Sequence, residues 1–349
     1  RFKVGRESER NMYKMTTPGR FAMQSFLRRA VKEKCQYAIM EVTSQAVLQS
    51  RHKFLSLDAL IFTNISPEHI ESHGSFEKYL EAKLKIGKQL VKSKKKRRIL
   101  VVNGDDKESV KFSSLNVPEK FEFNLKEAEP HIIKKEGLEF TYEEFRMSSH
   151  LSGEFNLYNI LGAITYARTQ NISLETIKKA LENFKGIRGR VEFVELAPDD
   201  PDRDKQDFKV VVDYAHTIDS LEKLYDVFQG SQKICVLGNT GGGRDKWKRK
   251  GMAEVAERHC SHIILTDEDP YDEDPEAIVD EMLEAIKRPI AEKVMDRREA
   301  ISKALKMAKT GDSVLITGKG TDPYIMGPNG TKLPWDDADV AREELRKLE

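Results

Sequence analysis

Apolar and polar positions fall in blocks along this chain: short apolar runs, each followed by a polar turn and then a stretch of helical period. In the first half the runs are "YAIMEV" (37–42), "LDALIFTNI" (57–65) and "RRILVVNGDD" (97–106). Runs of this length read as strands buried on both faces, and their alternation with helices predicts a parallel α/β sheet. In the predicted helix 76–92, Phe76, Tyr79, Leu80, Leu84, Ile86 and Leu90 form a broad apolar stripe, and the basic run "KSKKKRR" (92–98) reads as its solvated end. From 118 to 150 the pattern shortens to "KFEFNL" and "GLEFTYEEF", which predicts a small antiparallel insert. Two helices follow, "SGEFNLYNILGAITYARTQ" and "SLETIKKALENF", the second capped by Ser173 with Thr176 where a full capping box has Glu.

The polar stretch 198–207 reads as a hairpin loop, and the Gly-rich turn in "FKGIRGRVEF" precedes a new strand, so a boundary is expected near 187. The expected domains are therefore 1–187 and 188–349. In the second, the runs "KVVVDYA", "KICVLGNTGGGRD", "SHIILTDED" and "DSVLITGKGT" alternate with helices at 217–229, 247–258, 275–287 and 297–309. This predicts a doubly wound, Rossmann-like sheet of six strands.

Composition narrows the picture. With 349 residues the chain exceeds the ~250–300 that one core usually holds. A net charge of +1 gives no global field that would draw it to nucleic acid or an anionic membrane surface, so anions must be bound by specific pockets. Cys35, Cys235 and Cys260 have no CxxC spacing and lie in or beside apolar runs, so they are expected as small buried thiols in a cytoplasmic protein. No run reaches the ~18–20 apolar residues of a membrane span. The first residue is Arg1, not methionine, which points to a fragment, a processed product or a partial reading frame.

Ligands of open parallel sheets sit at the carboxyl ends of the strands. There this chain places Glu41, Thr43 and Ser44; Asn64, Ser66 and His69; Asp213 and His216; and the loops "GNTGGGRDKWKRK", "DEDPYDEDP" and "GKGTDP". So many polar tips in register point to a cleft. Gly241, Gly242 and Gly243 beside Arg244, Lys246 and Lys248 read either as an anion nest or as a plain loop. The acidic run reads as a cation or amine site or as a solvated helix start. His69 and His73, four apart with Lys83 following, read as a zinc pair or as polar loop residues.

Taken together, "MEVTSQAVLQSR" (40–51), "FTNISPEHIESHGSFEKYLEAK" (62–83), "GEFNLYNILGAI" (153–164), "GRVEFV" (189–194), "VVDYAHTIDSLEKL" (211–224), "GGGRDKWKR" (241–249) and "LITGKG" (315–320) resemble the Mur ligase family, collinearly from about 15 to 345. The likeness is greatest to the branch that adds the third residue of the peptidoglycan stem. The resemblance implies a central ATPase-type domain followed by a Rossmann-like one. It implies a reaction in which ATP phosphorylates the terminal carboxylate of a UDP-N-acetylmuramoyl peptide, and the amino group of an incoming amino acid attacks the acyl phosphate. Magnesium ions and fixed cations must neutralise the charge that moves. Glu41, His69 and Lys83 match the magnesium ligands, Lys83 as its CO2 adduct, because a carbamate is an anion where an ammonium would repel the metal. His73 then need only shape the turn before Gly74. Asn156 and Asn159 match adenine contacts, Arg190 the arginine that reaches the ATP phosphates, and Asp213 and His216 the residues that meet the nucleotide from the second domain. Thr16, Thr17, Thr43, Gln49 and Arg51 match positions for the muramyl substrate. The resemblance further implies a monomer without nucleic-acid or membrane partners.

Two departures qualify the resemblance. No G-x-x-G-K-T occurs upstream of "TTP", and the family's uridine-binding domain is absent, so these residues alone are expected to be inactive. In members that add diaminopimelate, D-N-P-R stands where this chain has Glu268, Asp269, Pro270 and Tyr271, and G-K-G-H-E where it has Gly318 to Asp322. Arg244 is retained, but Tyr271 cannot pair with a distal carboxylate, and the acids Glu268, Asp269 and Asp272 suit a distal ammonium such as that of lysine. Rival readings are a folylpolyglutamate-type ligase and a nucleotide-binding scaffold that has lost catalysis.

Overall fold

The computed structural model describes residues 2–348 apart from Arg10, Lys14, Glu68, His69, Asp202, Asp204, Lys205 and Arg244, and leaves the side chains of Ile70 and Glu71 aside. The chain forms two compact units, one of residues 1–126 with 158–171, the other of 127–157 with 172–349. Both are α/β.

In the first unit, strands Ala59–Phe62, Ile99–Asn103 and Glu119–Phe123 form a parallel sheet in that order. Helix Phe76–Val91 packs Leu80 and Leu90 against Phe62, Leu100 and Val102. Each such fully buried side chain contributes about 1.5–3 kcal/mol. Two expectations fail here. The run 37–42 forms no strand, and its Ile39 is 87% exposed: the sheet ends at Ala59–Phe62, and the run's Glu41 carbonyl is held instead by the Thr17 hydroxyl. Residues 119–123 extend the parallel sheet instead of opening the antiparallel insert, since their apolar Phe123 faces the core beside Gly162. The insert itself is His131–Lys134, Gly137–Tyr142 and Phe145–Ser149, antiparallel throughout and part of the second unit.

The second unit holds the six-stranded sheet in the order Ala291–Lys293, His262–Leu265, Lys233–Leu237, Ser313–Thr317, Lys209–Asp213 and Glu192–Phe193. All neighbours are parallel except the last pair, in which Phe193 stands opposite Val211 as the hairpin reading of 198–207 requires. Side chains alternate across the sheet: Val211 points to helices Ile218–Val227, Lys248–His259 and Pro275–Ala285, while Val210 and Val212 point to helices Arg297–Met307 and Asp337–Leu345. Helices on both faces make it doubly wound. The predicted second-half helices fall where the periodicity puts them, and Ser173 caps Leu174–Asn183 by accepting the Thr176 N–H at 3.3 Å. The cysteines differ from expectation. Cys235 and Cys260 are joined as a disulfide inside the core, the first on a strand and the second just past helix Lys248–His259, and Cys35 is half-buried. Both sulfurs point to the same sheet face, a juxtaposition that 25 residues of sequence separation hide.

Candidate active site

In the first unit the T-T-P turn is the hub. Thr17 is buried; its hydroxyl donates to the Glu41 carbonyl at 2.9 Å and accepts the Thr43 N–H at 3.2 Å. Arg51 donates to the Thr17 carbonyl at 2.7 Å and to Gln49 Oε1. Thr43 caps the short helix Ser44–Leu48 through the Ala46 N–H, so four of the expected substrate residues, Thr17, Thr43, Gln49 and Arg51, share one network. Thr16 precedes them on the exposed side of the turn. Arg51 thus ties the turn, with its guanidinium fork on neutral oxygens.

Behind this network, buried His73 meets Ser44 Oγ at 3.1 Å and stands edge-on to Tyr79 at 5.2 Å between ring centroids. Lys83, one helical turn beyond Tyr79, holds its Nζ 5.2 Å from the Tyr79 ring centre. His73 is therefore a structural link between the Ser44 helix and the Lys83 helix. Glu41 is exposed. His69 lies outside the described residues, and among those described no group of three His, Cys, Asp or Glu side chains could hold a metal. The donor chemistry of Glu41, a hard oxygen ligand, fits magnesium; that of Lys83 fits only as an oxygen-bearing adduct.

The N-G-D-D tip of strand Ile99–Asn103 is a feature the sequence reading passed over. Asp106 accepts the Ile65 N–H at 2.9 Å, and buried Asn103 donates to the Thr63 carbonyl at 2.8 Å, so this tip fixes the loop that leads to His69. Its signal was available: an Asx-rich tip directly after an apolar run. On helix Glu154–Thr169, Asn156 donates to the Ser152 carbonyl at 2.8 Å and Asn159 follows one turn later.

In the second unit five loops at the carboxyl edge of the sheet touch in sequence. Arg190 lies 4.5 Å over the Tyr214 ring, and Tyr214 meets His216 edge-on at 4.6 Å. A capping box of Thr217 and Ser220 starts the next helix and fixes this corner. Asp213 is buried, and its two oxygens accept the N–H of Val191 and of Ala215, each at 2.7 Å. Burial pushes the Asp213 carboxyl above its ordinary range, while those N–H groups and Arg190 pull the other way. Gly189, at φ +66°, leaves no room for a Cβ, which would sit 2.5 Å from the Gly320 carbonyl carbon.

From the 318–322 loop the contacts run on. Gly318 abuts the Glu268 carboxylate, and Lys319, almost wholly buried, pairs with Asp269 at 2.8 Å. Asp322 lies 3.7 Å from the Lys319 ammonium. Asp269 also accepts the Met326 N–H at 2.7 Å, and Asp272 accepts that of Asn329 at 2.7 Å. Glu268 accepts the Thr240 hydroxyl at 2.9 Å through Oε1, while its buried Oε2 has no hydrogen-bond partner among the described residues. Pro270 backs onto Gly241, and the Tyr271 ring lies against Gly242. The acidic run thus serves two ends: Glu268 and Asp269 are buried, and Asp274 caps helix Pro275–Ala285. The Gly-rich loop is not an open nest, because the Gly243 N–H donates to Glu273. Arg244 lies outside the described residues. Lys319, Glu273 and Thr240 stand in strand-tip loops that were expected to line the site, but none of the three was singled out as a site residue.

Residues 3–167 match the Mur ligase middle domain and residues 189–320 the Mur ligase glutamate ligase domain. The chain is 33% identical over 358 residues to the UDP-N-acetylmuramoyl-L-alanyl-D-glutamate--2,6-diaminopimelate ligase of Halalkalibacterium halodurans, covering 99% of this chain and 71% of that protein. It is 34% identical over 377 residues to the UDP-N-acetylmuramyl-tripeptide synthetase of Roseiflexus sp., covering 99% of this chain and 72% of that one. A solved structure of a UDP-N-acetylmuramoyl-L-alanyl-D-glutamate--2,6-diaminopimelate ligase superposes with a TM-score of 0.59 at 26% identity, over 95% of this chain and 69% of that chain.

Proposed function

The chain belongs to the Mur ligase family, and on that premise we propose that it joins an amino acid by an amide bond to the peptide of a UDP-N-acetylmuramoyl peptide at the cost of ATP, in peptidoglycan synthesis. The observation that carries this reading is the unbroken run of contacts from Arg190 through Tyr214, Gly320, Gly318 and Glu268 to Thr240. It joins the residues assigned to the nucleotide with those assigned to the incoming amino acid along one sheet edge.

Arg190, held flat by Tyr214, presents a fixed cation for phosphate. Asp213 orders the backbone on either side of it, and Asn156 and Asn159 offer donor and acceptor groups to adenine. The Thr17 network with Thr16, Thr43, Gln49 and Arg51 shapes the muramyl-substrate turn. Magnesium supplies charge neutralisation when bound, and Glu41, His69 and Lys83 as its carbamate would hold it. The reaction belongs to the cytoplasm, where ATP and UDP-linked precursors reside; no helix among the described residues is long and apolar enough to cross a membrane.

For the amino acid, Asp269 is paired with Lys319, and Glu268 presents a buried oxygen without a partner among the described residues to receive a distal ammonium. We therefore assign lysine in preference to diaminopimelate. The test supplies the enzyme expressed from its complete gene with UDP-N-acetylmuramoyl dipeptide, ATP, magnesium and, separately, lysine, diaminopimelate or ornithine, and reads product mass and phosphate release. A tripeptide product with lysine is expected. Preference for diaminopimelate removes the Glu268 assignment, and no amide product with any amino acid removes the ligase reading.

A further inference from the structure

The loop after strand Lys233–Leu237 has the make-up of an anion nest, yet the chain itself supplies the anion. Gly242 and Gly243 adopt φ of +73° and +70°, the left-handed region that glycine enters without steric cost. The Gly243 N–H donates to Glu273 Oε1, and Oε2 takes Lys246 Nζ and Arg249 Nη2, both at 3.0 Å. Arg249 is 1% exposed, and its other terminal nitrogen reaches Glu281 at 2.8 Å. Glu273 and Glu281 thus face Lys246 and Arg249. Glu273 belongs to the tip after the neighbouring strand, the loop that also carries Glu268, so its side chain joins that loop to the Gly-rich one. The same two loops meet again where the Gly241 N–H donates to the Asp269 carbonyl at 2.8 Å.

We propose that Glu273 is the resident anion of the Gly-rich loop and a positioning residue for the incoming amino acid. By filling the nest it leaves an anionic distal group no open N–H at Gly243, and by joining the two loops it holds Glu268 where an ammonium can meet it. The second part rests on the ligase reading above; the first does not.

Two measurements test it. In steady-state kinetics of the complete enzyme, Glu273→Gln is expected to raise the amino-acid KM on the order of ten-fold, the effect of losing charge-assisted hydrogen bonds, with the ATP KM unmoved. Glu273→Asp should recover most of that loss. If both KM values shift together, or neither shifts, Glu273 does not position the amino acid. Independently of activity, inorganic phosphate is titrated into the protein while the Gly243 amide is followed by NMR. The wild-type amide should stay still, and that of Glu273→Ala should move saturably. A saturable shift in the wild type, which needs no variant to fold, shows the nest to be open and overturns the assignment; so does a folded Glu273→Ala protein without a response. A wild type that ligates nothing fails the ligase reading, while the phosphate titration still decides the resident anion.

Discussion

Gly318 shows how tightly single residues are specified in this site. Its φ of +102° lies in the region L side chains avoid, and a Cβ there would run into the Glu268 carboxylate. Gly318→Ala is therefore expected to cost about 1–3 kcal/mol, the range for strained backbone positions, and to displace the one carboxylate oxygen we assign to the substrate. Thermal unfolding gives the first quantity, and the lysine KM of the folded fraction gives the second; a variant with unchanged melting temperature and KM would falsify the close approach. Glu268→Gln keeps the shape and removes the charge. It should lower kcat/KM for lysine by roughly ten-fold or more, the worth of a charge-assisted hydrogen bond, while leaving the ATP KM alone. Gly318 and Glu268 were both legible in the sequence as polar or glycine residues at strand tips. That Glu268 Oε2 is buried without a partner among the described residues, while Asp269 is taken by Lys319 and Met326, was not legible, because those two come from a loop about fifty residues away.

At the scale of elements, the helices are held by buried charges as well as by apolar faces. Arg297 opens helix Arg297–Met307, is fully buried, and grips Asp337 of the last helix at 2.7 and 2.8 Å while donating to the Thr317 carbonyl at 2.8 Å. Removing one partner strands the other charge in the core, so Arg297→Met should destabilise the protein by about 3–5 kcal/mol, and Arg297→Met with Asp337→Leu should recover part of it. Denaturant midpoints check this, with Asp337→Leu alone as the third variant; a double-variant loss equal to the sum of the two single losses would show that the pair is not coupled. Glu273 links its two loops by the same logic near the surface. Burial alone would raise its carboxyl, but the Gly243 N–H, Arg249 and Lys246 outweigh that and hold it at about 2 instead of 4.5. A depressed carboxyl stabilises the fold fully above the unfolded value of 4.5 and loses that contribution as pH falls toward 2. The melting-temperature difference between wild type and Glu273→Gln should therefore shrink across pH 4.5 to 2, and a constant difference argues against the link. Periodicity placed helix Arg297–Met307 correctly but gave no expectation of the last helix, Asp337–Leu345; it carried no sign of which charges would be buried, since a charged residue on a helix reads as solvent-facing until its partner is known.

At the scale of the molecule, the Cys235–Cys260 disulfide closes a span of 25 residues within the second unit. Closing such a loop stabilises by about 3 kcal/mol in the chain-entropy account. Reductant is thus expected to lower the unfolding transition of the second unit and to spare that of the first. Alkylation under denaturing conditions should find one thiol before reduction, Cys35, and three after it; three thiols at the outset would mean that the bond does not form in the protein. In the first unit the sheet stops at Ala59–Phe62, and of the run 37–42 Tyr37 and Ile39 remain exposed.

The class of fold, the alternation of strands and helices in the second unit, and the strand tips of that unit were all legible in the chain, whereas the tip expected before Glu41 and Thr43 was not formed. The legible features follow from hydrophobic period and turn chemistry, which are local. The sequence also carried the family, because collinear motifs survive where spacing does not. Only the tertiary structure decided what those tips do: that His73 bridges two helices, that Cys235 and Cys260 share a sheet face, that residues 119–123 run parallel, and that the Gly-rich loop already contains its anion. Each of these depends on a partner distant in sequence, and a hydrogen bond or ion pair leaves no mark on the period of the residues that make it.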